Sequence, residues 1–278
     1  MQGFLSTTPW TPPTGTLGML TEAAHARAAA VAPQLVELAA RARDARPASA
    51  FAAALRRDQL AVIAEVKRAS PSKGAIAPGL DAVSQARAYV DGGAAAISVL
   101  TEPERFGGTL ADLTAVSTAV NVPVIRKDFL VHPVQLWEAR ANGASAALLI
   151  VRSLDQDTLL RLVETAQEAA LHLLVEVRDE AELERALAVQ APVIGVNNRN
   201  LETLVIDPAT APRVIRSIPR DVVAVAESGM RVPADVGPAA EAGADAILVG
   251  SAISASASPS DDVRALASIR RVLESARP

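Results

Sequence analysis

Eight short aliphatic runs begin at residues 61, 95, 122, 145, 171, 192, 221 and 245, a mean step of about 26 residues. This rhythm constrains the fold more than any other feature of the chain. The runs are nearly unbroken hydrophobics, the pattern of parallel strands covered by helices on their faces. Helical patterns fill the intervals at 81–91, 109–120, 133–142, 155–169, 179–188, 208–217, 233–242 and 261–275. Eight successive strand–helix units predict an α/β fold, a (β/α)8 TIM barrel with an N-terminal helical extension. An open doubly wound sheet is the structural rival. It is disfavoured because no glycine-rich dinucleotide turn follows the first run.

Local chemistry supports the same division. Asp81 and Asp179 stand where helices should begin, and Gly92-Gly93, Gly143 and Gly243 stand where they should stop. A Gly-Ala-(Ala/Ser/Asp)-Ala element recurs at 93–96, 143–146 and 243–246, each time a helix end followed by entry into the next strand. Ahead of the first run, residues 1–17 are rich in Thr, Pro and Gly and read as a flexible arm. Residues 18–58 read as a helical extension: an Ala-rich segment at 18–45 forming one long helix or two short ones, then a short helix at 51–57. The barrel proper is expected over 61–275, within a single domain spanning 1–278.

Composition removes several classes of function. Cysteine is absent, so the chain has no disulfide, thiol nucleophile or thiolate metal site. His25, His132 and His172 lie at no metal-ligand spacing. A net charge of -4 argues against a general nucleic-acid binder. No apolar run reaches the ~20 residues that span a bilayer. The N-terminus lacks the basic and apolar regions of a secretory signal. The expectation is a cytoplasmic protein with no membrane and no nucleic-acid partner.

In a barrel of this type the active site lies at the carboxyl ends of the strands. The first strand ends in AEVKRASPSKG, which sets Glu65 and Lys67 on one strand face because side chains two apart point the same way. The other ends read Thr101-Glu102, Arg126-Lys127-Asp128-Phe129, Arg152, Glu176, Asn197-Asn198-Arg199, Glu227-Ser228-Gly229 and Gly250-Ser251. Any strand end that meets water turns polar, so one such end carries little weight. Two lysines and three glutamates converging on one mouth point to acid–base chemistry, since crowding and burial can bring their pKa values toward neutrality. Glycines and serines at the last two strand ends favour a phosphate, although Gly-Ser alone is also ordinary turn chemistry. Ser70, Ser72 and Arg199 are further donors. No cofactor is demanded. Three glutamates could in number ligate a divalent metal, but two lysines in the same mouth compete with a cation, so no metal is expected.

Taken together, IAEVKRASPSKG at 63–74, FGGTLADL at 106–113, VIRKDFLVHPVQLWEARANGASAALLI at 124–150, LVEVRDEAELERAL at 174–187, GVNNRNLET at 195–203, AVAESGM at 224–230 and AGADAILVGSAI at 242–253 resemble indole-3-glycerol phosphate synthases. The resemblance spans about 200 residues in the family's order. It implies ring closure of 1-(2-carboxyphenylamino)-1-deoxyribulose 5-phosphate, a small phosphorylated substrate, with loss of carbon dioxide and water. Carried over by motif, Lys127 is the general acid on the carbonyl, and Glu176 and Lys67 move protons in the dehydration. Glu65 orients Lys67, and Asn197 and Glu227 complete the polar ring. Ser70, Arg199, Ser228, Gly229, Gly250 and Ser251 hold the phosphate. Phe106, Phe129 and Leu149 flank the anthranilate ring.

The N-terminal region fits the family weakly, since an Ala-rich segment stands where a charged helix is usual. His132 stands where an acid is frequent and carries no expected role. Two other phosphate-binding barrels remain as alternatives, a Schiff-base aldolase and a phosphoribosylanthranilate isomerase-like enzyme, along with a non-catalytic binding paralogue. The expected state is a monomer or weak homodimer.

Overall fold

The computed structural model describes residues 10–272 and 277–278. Eight strands run parallel: β1 (Ala61–Val66), β2 (Ala96–Leu100), β3 (Val124–Lys127), β4 (Ala146–Ile150), β5 (His172–Val177), β6 (Val193–Asn197), β7 (Val223–Glu227) and β8 (Ala246–Val249). Each pairs with its neighbours in sequence, and β8 pairs with β1, Ala61 opposite Ala246, which closes the barrel. The aliphatic runs became strands because both faces are covered. The inward face fills the barrel and the outward face packs under helices, so all five residues of β4 are buried.

Twelve α-helices accompany the strands among the described residues. The extension forms α1 (Gly15–Val31), α2 (Leu35–Asp44) and α3 (Phe51–Leu55); a 3-10 turn holding Pro33 separates α1 from α2. Of the stretch expected as an arm, residues 1–9 lie outside the described residues, and α1 already begins at Gly15. Between the strands come α4 (Ala82–Asp91), α5 (Leu110–Ala119), α6 (Pro133–Ala141), α7 (Gln156–Glu168), α8 (Glu180–Ala188), α9 (Thr210–Ile215) and α10 (Pro233–Glu241). A short α11 (Ser251–Ser254) and α12 (Pro259–Ala267) follow β8. The last helix is shorter than the expected 261–275; residues 273–276 of that range lie outside the described residues.

The caps work as the sequence suggests. Asp81 and Asp179 accept the Ser84 and Glu182 backbone N–H groups at 2.8 and 2.9 Å. Gly93, Gly143 and Gly243 take positive φ values of 97°, 86° and 96°, the left-handed turn that ends a helix and starts the next strand. His132 proves to be a cap too: its Nδ1 accepts the Val134 N–H at 3.2 Å, opening α6.

The two ends of the barrel are covered differently. At the amino-terminal end, α3 buries Phe51 and Leu55 completely. At the carboxyl end, α1 lies over the mouth. Its Arg27 donates to Asp128 Oδ1 at 2.8 Å, and Thr16 and Leu20 line the opening. The loop after β1 contains a two-stranded hairpin, Ala69–Ser70 with Gly74–Ala75. Arg68 pins the base of that loop by paired bonds to Asp112 at 2.7 and 2.9 Å.

Candidate active site

The strand ends converge on one cavity of about 690 Å³. Glu65 leaves β1 inward, and Lys67 follows two residues later on the same face; Lys67 Nζ stands 2.5 Å from Glu65 Oε1. Across the mouth, Lys127 ends β3 with its ammonium 3.3 Å from Glu176 Oε2 and 3.9 Å from Glu227 Oε2. Asn197 on β6 fixes Glu176 by donating to Oε1 at 3.0 Å, while its own Oδ1 accepts the Arg199 N–H at 2.9 Å. All three glutamates are at least 95% buried.

Burial and crowding set the protonation of this ring. Burial alone would push the Lys127 ammonium down. The charges of Glu176, Glu227 and Glu65 outweigh it and hold the group above its ordinary value. Glu227 moves up as well, first through burial and then through the charge of Glu176, with Lys127 acting in the opposite sense. Glu227 thus holds its proton to higher pH than an ordinary carboxyl does. Among the described residues no three His, Asp or Glu side chains form a metal-ligand group; these carboxylates are engaged with ammonium groups.

Glycines make room for the ring. A Cβ at Gly250 would lie 2.3 Å from Glu65 Oε1 and 2.8 Å from Lys67 Nζ. A Cβ at Gly195, inside β6, would lie 2.0 Å from Glu227 Oε1. Both glycines are conditions for the carboxylates to turn inward.

On one side of the mouth, Ser228 and Gly229 take positive φ values of 64° and 84°, and Gly250 leads into α11 at Ser251. The Ser70 hydroxyl lines this cavity and is buried with no protein partner. Arg199 reaches the same cavity while donating to the Leu204 carbonyl at 2.8 Å. On the other side Phe106 and Phe129 form a tilted pair with centroids 6.1 Å apart. Leu100, Leu148, Ile150 and Leu248 supply apolar lining.

Residues 19–266 match the family described as indole-3-glycerol phosphate synthase. The chain is 55% identical over 219 residues to indole-3-glycerol phosphate synthase 1 of Streptomyces coelicolor, covering 79% of this chain and 81% of that one. It is 52% identical over 225 residues to the synthase of a Mycobacterium species, covering 81% and 83%. The chain belongs to the indole-3-glycerol phosphate synthase family. Its homologues are decarboxylating lyases of tryptophan biosynthesis. Among solved structures, thiamine phosphate pyrophosphorylase from Pyrococcus furiosus aligns with a TM-score of 0.57 at 17% identity, over 76% of this chain and 95% of that one. That likeness concerns the barrel alone.

For an indole-3-glycerol phosphate synthase, the sequence-derived residues are well gathered. Glu65, Lys67, Ser70, Phe106, Lys127, Phe129, Asn197, Arg199, Glu227, Ser228, Gly229, Gly250 and Ser251 line the cavity. Glu176 stands beside it, bonded to Lys127 and Asn197. Leu149 requires a correction: it is fully buried and does not line the cavity, whereas Leu148 and Ile150 do. The strand's period of two turns residue 149 outward, under the helices, and its neighbours inward.

Sequence reasoning left some groups without a role. Asp128 and Glu102, both buried, receive Arg27 of α1, the first at 2.8 Å and the second at 3.8 Å. Asp128 also accepts the Thr101 hydroxyl at 2.8 Å. These acids seat the extension on the mouth. Their position just beyond strand ends was visible, but their partner Arg27 lies 75 residues before Glu102 and 101 before Asp128, where no local pattern announces it. Leu201, Leu204, Ile206 and Met230 line the cavity from loops, which carry no periodicity to betray them.

Proposed function

We propose that this chain closes the ring of 1-(2-carboxyphenylamino)-1-deoxyribulose 5-phosphate to indole-3-glycerol phosphate, releasing carbon dioxide and water. The observation that carries the reading is the Lys127 ammonium, held charged by Glu176 and Glu227 and sharing one cavity with the Glu65–Lys67 pair.

The substrate phosphate rests among Ser70, Arg199, Ser228, Gly229, Gly250 and Ser251, supported by the unpartnered Ser70 hydroxyl and the turned backbone at 228–229. The aromatic ring lies against Phe106 and Phe129, with Leu148 and Ile150 in the place first given to Leu149. Anchoring both ends brings the ring carbon against the ketone, so that binding energy remote from the reacting atoms lowers the barrier. Lys127 protonates the carbonyl oxygen as the carbon attacks, and its charge stabilises the oxygen as it turns negative. Carbon dioxide then leaves and the ring regains aromaticity. Lys67, oriented by Glu65, and Glu176, oriented by Asn197, move the protons that expel water. Glu227, its carboxyl pushed up by burial and by the charge of Glu176, completes the wall beside Lys127.

The same geometry opposes the Schiff-base aldolase. An amine nucleophile needs its pKa depressed, and here Lys127 is shifted up. An isomerase needs one acid and one base, which leaves the second lysine and two glutamates without work. Among the described residues no helix is long and apolar enough to cross a membrane. The chain is proposed to work in the cytoplasm as a monomer or weak homodimer, without nucleic acid; size-exclusion chromatography with light scattering tests the oligomeric state.

The deciding experiment follows indole fluorescence when purified protein meets the carboxyphenylamino-deoxyribulose phosphate. Product formation supports the reading. Absence of signal from folded protein overturns it, and borohydride trapping of a ketone on Lys127 or Lys67 would establish the aldolase instead.

A further inference from the structure

A second cavity of about 110 Å³ adjoins the mouth beneath Leu17 of α1. Glu176 lines it from the end of β5, Arg178 and Glu182 from the junction between β5 and α8, and Arg152 and Glu202 from neighbouring loops. Its volume accommodates a short file of water molecules, and its walls are polar enough to bind them. Arg178 Nε is buried there with no protein partner.

Glu182 has an evident structural duty. One of its oxygens accepts the Arg178 N–H at 2.8 Å, and its own N–H donates to Asp179 at 2.9 Å, together capping α8. A glutamine would serve that cap as well as a glutamate, so capping does not explain an acid facing a cavity shared with the ring.

The chemistry of the proposed reaction supplies the missing demand, and the inference rests on that reading. Counting from the substrate carboxylate, the ketone oxygen takes up two protons before it leaves as water. The adjacent methylene gives up one. The electrons of the carbon–carboxylate bond return to the ring with carbon dioxide. Each turnover therefore draws one net proton from solvent while substrate fills the mouth. We infer that Glu182 and the 110 Å³ cavity form the route by which that proton enters: from solvent to Glu182, through cavity water to Glu176, and across 3.3 Å to Lys127.

Glu182 is suited to the traffic. Burial, first, and then the charge of Asp179 push its carboxyl up to about 7, Glu176 adds to the rise, and the Arg178 N–H and the Arg152 charge act against it. Arg185 of α8, Arg199 on the cavity wall, and Glu202, which pairs with Arg152 at 2.9 Å, are the other charged groups nearby. A carboxyl poised there is loaded below neutral pH and empties above it. Glu182 acts through Glu176 and touches no substrate; it is a positioning residue for protons.

The test is the pH dependence of Glu182→Gln, measured with the intact chain by indole fluorescence at saturating substrate. Wild-type kcat should fall as pH rises through about 7. The variant, which keeps the acceptor for the Arg178 N–H, should lose about tenfold in kcat at neutral pH with KM unchanged, and lose that limb of the profile. Added formate or imidazole should restore part of the rate. A folded variant with wild-type kcat and profile overturns the inference while leaving the proposed reaction intact; a wild-type protein that forms no product overturns both. Should the variant not fold, Glu182→Asp and the wild-type profile decide: a flat wild-type kcat from pH 6 to 8 overturns the relay.

Discussion

The barrel carries a cluster of buried charge at each end, and the two are built to opposite specifications. At the amino-terminal end, Asp245 precedes β8. Its Oδ2 accepts the Ala224 N–H at 2.8 Å and Arg277 Nη1 at 2.9 Å, while Arg271 pairs with Oδ1. Arg277 also donates to the Ile218, Gly243 and Pro219 carbonyls at 3.1, 2.8 and 2.7 Å. The guanidinium is spent on tying the C-terminal segment to the turns between helices and strands. At the carboxyl end, Glu227 Oε1 is buried without a partner, Lys127 is shared between two carboxylates at more than 3 Å, and both groups are displaced from their ordinary pKa values. A cluster whose charges pair off among themselves, as both Asp245 oxygens do with Arg271 and Arg277, has little left to offer a ligand. An unsaturated one holds groups whose protons and hydrogen bonds await a substrate.

Substitutions at each end break or sharpen that contrast. The largest effect is expected from Lys127→Ala, which should lower turnover on the order of 10³-fold with little change in melting temperature; a fully active variant shows the acid to be elsewhere. At the opposite end, Asp245→Ala strands buried Arg277 and should cost about 3–5 kcal/mol of unfolding free energy in urea, with kcat of the remaining folded enzyme intact. Loss of kcat without loss of stability would reverse the assignment of the two ends.

Leu149→Ala should cost about 3 kcal/mol of stability by opening a hole outside the barrel wall, with KM unchanged. Ile150→Ala, one residue on, should raise KM. Equal effects of the pair on KM would put residue 149 back in the mouth. Gly250→Ala, forcing a methyl group against Glu65 and Lys67, should lower kcat roughly 30-fold through a displacement of about 1 Å; thermal melts of the same variant check that the barrel survives.

The smallest effect concerns pH. Because the Glu227 carboxyl is raised in the folded state, the native protein keeps a proton that the unfolded chain releases above the ordinary carboxylate range. Its contribution to stability therefore declines as pH rises from that range toward the folded value. Glu227→Gln removes the decline. Urea denaturation at pH 5, 6.5 and 8 should give a flatter stability profile for the variant than for the wild type, and parallel profiles would contradict a raised Glu227 carboxyl.

Much of this molecule was legible in the linear sequence. Helix and strand periods are local, so the eight runs at 61–250 showed the barrel, and Asp81, Asp179 and the glycines at 93, 143 and 243 showed its joints. The active-site rule for barrels then pointed to Lys67, Lys127 and Glu227 as strand-end residues. The rule locates ends but not the inward or outward sense of each side chain, and the residue carried over from the family resemblance, Leu149, turns outward, while Leu148 and Ile150 face the mouth cavity. It was equally silent on Gly195, which looks like a weak point in a strand until Glu227 is seen to occupy the space beside it.

The sequence by itself determined the number and order of the strand–helix units, and the motifs that name the family, because both are written in contiguous residues. Tertiary structure decided what those residues do to one another. The shift of Lys127 arises from glutamates 49 and 100 positions away, the seating of α1 from Arg27 meeting Asp128 across 101 residues, and the second cavity from segments brought together only when the barrel closes. Electrostatic interactions and cavities depend on distance through space, which a linear pattern does not carry until the fold supplies it.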